Sequence, residues 1–192
     1  GILCIYMSNP NRHAYAAAQS ILLYLGKTKT LGLRYKKGSM LPNCGFHMYS
    51  DSAWGNANPR YGYVGFMSGG VVAYISKNLK SAESSCEAEY AAASFSCREI
   101  HFIRMVCEDL GFTLQGALLL FVDNTAAIDV ASDIGVTART KHFERAMHYI
   151  REAVIMLRVQ PFFVRTTGQK ADILTKVLET AAFIKNRDEI VS

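Results

Sequence analysis

The chain has 192 residues, a formal net charge of +5, a half-hydrophobic composition and 19% charged residues. Such a composition excludes intrinsic disorder, and the length allows one domain of ordinary size with a sizeable core. The longest apolar runs, such as Ala117 to Val122, are far shorter than the roughly 20 residues needed to cross a bilayer, and no signal peptide opens the chain, so a soluble, unexported domain without a membrane partner is expected. Five cysteines with no Cys-x-x-Cys pair argue against a disulfide framework or a structural zinc site and for free thiols in a reducing compartment.

Charge is uneven along the chain. Residues 1–50 carry six basic side chains and no acid, whereas the remainder holds fifteen basic and sixteen acidic ones. A one-signed segment of this kind is either a solvated surface or a contact for a polyanion such as nucleic acid. In chain order, Asn9 followed by Pro10 reads as a helix start, with Ala14, Ala18, Ile21, Leu22 and Leu25 at helical spacing until Gly26. Leu31 to Tyr35 reads as a short strand, Lys36 to Asn43 as a linker, and the boundary falls there: residues 1–42 as an N-terminal piece and 43–192 as the main domain.

Three strand-like stretches follow, 45–50, 62–67 and 71–76, the last two joined by Ser68, Gly69 and Gly70 as an antiparallel meander. Ser84 opens a long helix to about Leu110, with Ala88, Ala92, Phe95, Phe102, Val106 and Leu110 on one stripe. Ala117 to Val122 reads as a central parallel strand. Asn124 to Ser132 suits a short helix, Thr140 to Met156 a longer one, Arg158 to Arg165 a last strand, and Ala171 to about Arg187 a final helix. The fold class is therefore α/β, with a five-stranded mixed sheet of three antiparallel strands followed by parallel ones and helices on its faces.

Sites in such sheets gather at strand ends and helix starts. Asp51 ends the first strand, Asp123 ends the fourth and Asp172 opens the last helix. Taken singly each is a turn or cap residue. Together they would repel one another unless hard cations neutralised them, and Mg²⁺ favours carboxylate oxygen. A pair of such ions could clamp the attacking and leaving oxygens of a phosphodiester. The long helix offers two further acids. Ser84 and Glu87 fit a capping box, with the glutamate reaching back to the cap amide. Glu89 lies at the edge of the stripe facing the sheet, which favours Glu89 for the fourth carboxylate.

The segments Tyr49-Ser50-Asp51, Ser84-Ser85-Cys86-Glu87-Ala88-Glu89-Tyr90, Val122-Asp123-Asn124, Thr140-Lys141-His142 and Ala171-Asp172-Ile173-Leu174-Thr175-Lys176 resemble, in order and spacing, the ribonuclease H domain of copia-type LTR-retrotransposon polyproteins. Met7-Ser8-Asn9-Pro10 and the helix ending Tyr24-Leu25-Gly26 resemble the end of the reverse transcriptase that precedes it. The resemblance implies a ribonuclease H-like fold and cutting of the RNA strand of an RNA:DNA hybrid with two Mg²⁺ or Mn²⁺ ions, leaving a 5′ phosphate and a 3′ hydroxyl. It carries Asp51, Glu89, Asp123 and Asp172 onto the four metal-binding catalytic carboxylates.

The chain departs from the pattern in having no histidine in the short loop 164–170, where many cellular members carry one. It also has Ala53 where a second aspartate is common, and Arg60-Tyr61 in place of a Ser/Thr-rich stretch. Hybrid contacts should fall on phosphates and 2′ hydroxyls, with Arg60, Lys77, Asn124, Thr125, Arg139, Lys141 and His142 as candidates. The implied partners are the hybrid and the reverse transcriptase portion of the same polyprotein. The implied location is a cytoplasmic retrotransposon particle, or the nucleus for a domesticated copy. The competing reading is a catalytically silent, domesticated or degenerate relative that binds nucleic acid or serves as a spacer beside a polymerase; an integrase-like or resolvase-like nuclease fits the motifs less well.

Overall fold

The protein is described by a computed structural model covering residues 2–37, 42–55, 59–79, 82–124 and 144–191. Five strands form one sheet in the order β3-β2-β1-β4-β5, with β1 His47–Ala53, β2 Arg60–Met67, β3 Gly70–Asn78, β4 Leu118–Val122 and β5 Val159–Phe163. β1, β2 and β3 pair antiparallel, and β4 pairs parallel with both β1 and β5. The expected mixed sheet is therefore present. The β2–β3 turn is tighter than expected: Ser68 and Gly69 alone form it, both at positive φ, while Gly70 already pairs with Met67. That two-residue turn has the handedness that matches strand twist, and a glycine accepts its second position without strain.

Helices cover both faces. On one, α2 (Ser85–Asp109) and α3 (Glu144–Ile155) pack Tyr90, Ala93, Cys97, Ile100, Met147, Ile150 and Ala153 against Met48, Leu118, Leu120 and Val122. On the other, α4 (Asp172–Thr175) and α5 (Thr180–Ile190) bring Ala171, Leu174 and Ile190 against Val64, Phe66 and Val71. The buried stripe of α2 differs from the expected one. Ala88 and Ala92 are buried as expected, but Phe95, Phe102, Val106 and Leu110 are exposed, and the rest of the buried face is Tyr90, Ile100 and small side chains. Alanine, serine and cysteine let the helix axis approach the sheet more closely than an aromatic stripe would allow.

Other elements depart from the sequence expectations. The first helix, α1 (Arg12–Lys27), is capped by Asn11, whose side chain accepts from the Ala14 amide at 2.8 Å, so Pro10 lies outside it. It passes through Gly26 and ends at Thr28, whose hydroxyl donates to the Tyr24 carbonyl. None of its residues is buried; Tyr24 meets Phe183 edge-on at 6.0 Å. Leu31 to Tyr35 is not a strand. It runs beside the hairpin, where the Tyr35 hydroxyl donates to the Val71 carbonyl and the Lys36 amide to that of Ser68. The last helix is broken in two at Lys176, which adopts an extended conformation. The expected short helix 124–132 and the start of the expected helix 140–156 lie outside the described residues, apart from Asn124.

The start of α2 agrees with the sequence in part. The Ser84 hydroxyl accepts from the Glu87 amide at 3.1 Å, but the Glu87 carboxylate accepts from the Glu83 amide at 2.6 Å and not from the cap residue's own. Glu87 is thus occupied in closing the helix end. Glu87→Ala is expected to lower stability by about 1 kcal/mol and to leave any chemistry of the site intact, which thermal denaturation beside an activity assay would check.

Candidate active site

Strand register brings the first two acids together. Tyr49 of β1 lies opposite Phe121 of β4 in the parallel pair, so two residues further on Asp51 and Asp123 point from adjacent strands toward the same end of the sheet. Asp51 does not end its strand as expected. It sits inside β1, paired with Gly62 of β2, and β1 continues to Ala53. Strand alternation sends the next residue, Ser52, to the opposite face. There its hydroxyl donates to Glu89 Oε1 at 2.8 Å and ties the first turns of α2 to β1. Ligand oxygens of Asp51, Glu89 and Asp123 all lie within 4.8 Å of one another.

The last aspartate arrives from the other face. α4 rests on β2 at Gly62, where an added Cβ would lie 2.8 Å from the Leu174 Cβ and 3.0 Å from the Thr175 Cγ2. The missing side chain at Gly62 is what lets this helical turn reach the neighbouring Asp51. The Thr175 hydroxyl donates to Asp51 Oδ2, and Lys176 Nζ donates to Asp51 Oδ1 at 3.1 Å and to Asp172 Oδ1 at 2.7 Å. Asp172 therefore joins the cluster through Lys176, and it is not part of the close group of three. The loop ahead of α4 is pinned by buried Gln169, whose amide nitrogen donates to the Ser50 carbonyl at 2.9 Å and whose oxygen accepts from the Ala171 amide.

The carboxylates hold protons unusually tightly. Burial, together with the nearby Asp51 charge, pushes Glu89 up to about 8. Asp51 is raised to about 6 by burial, which outweighs the opposing pull of Lys176 and the Thr175 hydroxyl. Asp123 is raised for the same first reason. Lys176 is raised by its hydrogen bond to Asp172 and by Asp51, which together overcome its own desolvation. Three converging, partly desolvated carboxylates against a single ammonium make a site of excess negative charge. Such an all-oxygen donor set fits a hard divalent cation.

The hybrid-contact candidates are placed as follows. Arg60 is committed to the neighbouring strand, with its guanidinium donating to Asn78 Oδ1 at 2.7 Å and to the Ser76 hydroxyl and carbonyl. Lys77 is exposed on edge strand β3, one residue past Ser76, which shares a row across the sheet with Gly62 and Asp51. That row spans two inter-strand spacings, about 10 Å. Asn124 directly follows Asp123 and is half-buried. Thr125, Arg139, Lys141 and His142 lie outside the described residues. Four side chains that organise the site had no role assigned from sequence: Ser52, Gln169, Thr175 and Lys176. Only Lys176 carried a readable signal, its spacing of four from Asp172.

Comparison with known proteins adds the following. No protein-family model matches the chain. It is 31% identical over 186 residues to the retrovirus-related Pol polyprotein from transposon TNT 1-94 of Nicotiana tabacum, a match that takes in 95% of this chain and 14% of that polyprotein. It is 34% identical over 104 residues to secreted RxLR effector protein 161 of Plasmopara viticola, covering 52% of this chain and 71% of that protein. The chain thus spans about one seventh of the polyprotein it matches. Among solved structures, RNase H1 from the halophilic archaeon Halobacterium salinarum superposes with a TM-score of 0.51 at 21% identity, over 67% of this chain and 92% of that one.

Proposed function

We propose that the chain, which has the ribonuclease H-like fold and is related in sequence to the retrovirus-related Pol polyprotein of a transposon, is an endonuclease that cuts the RNA strand of RNA:DNA hybrids during reverse transcription. The observation that carries this reading is the convergence of Asp51, Glu89 and Asp123 within 4.8 Å, with Asp172 one lysine away. Asp51, Glu89 and Asp123 would hold one divalent ion, and Asp51 and Asp172 a second, either Mg²⁺ or Mn²⁺. When bound, such ions supply Lewis-acid stabilisation of the charge that develops at the scissile phosphate.

The chain's own residues prepare that site. The Ser52 hydroxyl fixes one oxygen of Glu89, and the Thr175 hydroxyl fixes one oxygen of Asp51. Both carboxylates are thereby held in position before any cation arrives, so little reorganisation is left to accompany binding. Their high proton affinity means that a cation must displace protons as it binds, chiefly from Glu89. Hybrid binding would rest on phosphates and 2′ hydroxyls, with Asn124, next to Asp123, nearest the acids among the described candidates. The reverse transcriptase portion of the same polyprotein is the proposed partner, and a retrotransposon particle the proposed setting.

The expected result is that the purified chain, given Mg²⁺ or Mn²⁺, cuts the RNA of an end-labelled hybrid and leaves 5′-phosphate ends. Retention of labelled hybrid without cleavage in either metal would instead identify a silent nucleic-acid-binding relative.

A further inference from the structure

One charged group in the site has no role in the chemistry just proposed. Lys176 Nζ lies 3.1 Å from Asp51 Oδ1 and 2.7 Å from Asp172 Oδ1, so its ammonium bridges the two acids that do not both belong to the close group of three. Asp51 is fully enclosed and Asp172 nearly so, whereas the lysine side chain is about one-third exposed. The two oxygens of Asp51 have separate duties: Oδ2 accepts from Thr175, and Oδ1 accepts from Lys176. A cation on the Asp51–Asp172 side must therefore compete with the ammonium for Asp51 Oδ1 and Asp172 Oδ1. The group formed by Asp51, Glu89 and Asp123 also has Glu89 and Asp123 to offer, and neither accepts a hydrogen bond from Lys176.

We propose that Lys176 is a built-in counter-ion that occupies the Asp51–Asp172 side of the cluster, so that the protein takes a first divalent ion at Asp51, Glu89 and Asp123 and a second only by displacing the lysine. This deepens the metal-site reading above and rests on it. Four carboxylates and two divalent ions are neutral together, and a lysine kept among them adds one unbalanced positive charge. With charges a few ångströms apart in a partly buried site, that repulsion weakens the second ion roughly tenfold or more. The exposed stem gives the ammonium a path to water as it leaves.

The test counts bound Mn²⁺ by electron paramagnetic resonance in the wild-type chain, Lys176→Met and Lys176→Arg. The second ion is expected to bind roughly tenfold or more tightly in Lys176→Met than in wild type, a larger gain than the first ion shows, with Lys176→Arg behaving as wild type. Removing the lysine leaves buried Asp51 without its counter-ion, so Lys176→Met can fail to fold free of metal. Lysine-selective NMR of the wild-type chain therefore follows the Lys176 ammonium through a Mg²⁺ titration, and its signal should be lost as the second ion loads. Equal second-ion affinity in all three proteins, or an ammonium signal unmoved at two-ion saturation, overturns the counter-ion role and leaves the nuclease reading standing. A wild-type chain that binds no ion at all overturns both.

Discussion

Asp123→Asn is expected to lower hybrid cleavage by at least about 10²- to 10³-fold while leaving hybrid affinity essentially unchanged. Asp123 follows β4 directly, and the β1–β4 register sets it beside Asp51, within 4.8 Å of both Asp51 and Glu89. Asparagine keeps the shape and one oxygen but removes the charge, so the close group of three falls from three anionic ligands to two. Hybrid affinity comes mainly from cationic and polar contacts to phosphate and sugar, and losing an anion does not weaken those. Parallel cleavage and filter-binding assays check both halves. A variant that cuts as well as wild type removes Asp123 from the chemistry, and one that loses binding and cleavage together makes it a folding residue.

Without divalent ions the chain should lose stability as pH rises from about 4 to about 8. Glu89 is held at about 8 against an ordinary 4.5, and Asp51 at about 6 against 3.8. Between each pair of values the folded chain binds a proton that the unfolded chain has released. Stability therefore falls with rising pH from its full value below about 4, most steeply up to about 6 while both groups contribute, and levels off above about 8. The Glu89 contribution is on the order of 5 kcal/mol, worth roughly ten degrees or more in melting temperature for a domain of this size.

Thermal melts in EDTA at pH 5, 7 and 9 should show this slope in wild type and a much flatter one in Glu89→Gln, whose amide oxygen can still accept from Ser52. Divalent ions bind the deprotonated carboxylates, so their stabilising effect should be largest at high pH. Parallel profiles for the two proteins would mean that Glu89 is not the buried proton acceptor described here.

The contrast between Glu87 and Glu89 illustrates how far the sequence reaches. Both sit in one helical turn. Capping logic gave Glu87 a structural task, and helical periodicity put Glu89 toward the sheet; the structure has Glu87 accepting from the Glu83 amide and Glu89 beside Asp51 and Asp123. Local rules of this kind, a period of two or 3.6 residues, a cap or a two-residue turn, act over a few neighbours and so leave their trace in the linear order of residues. The same rules failed where a tertiary contact competed. They continued one helix from Ala171 to Arg187, whereas the chain breaks at Lys176. They also put Phe95, Phe102, Val106 and Leu110 on the core stripe of α2 with Ala88 and Ala92, whereas of these only the two alanines are buried.

The sequence by itself determined the strand order along the chain, the mixed character of the sheet and the acids available at its ends, because hydrophobic period and turn chemistry are local. Tertiary structure alone decided which acids meet: the β1–β4 register that pairs Asp51 with Asp123, the bare Gly62 that admits α4, and the lysine that separates Asp172 from the close group. Those depend on contacts between residues up to 125 positions apart. Distance along the chain carries no signal of such contacts; packing, burial and charge neutralisation in three dimensions establish them.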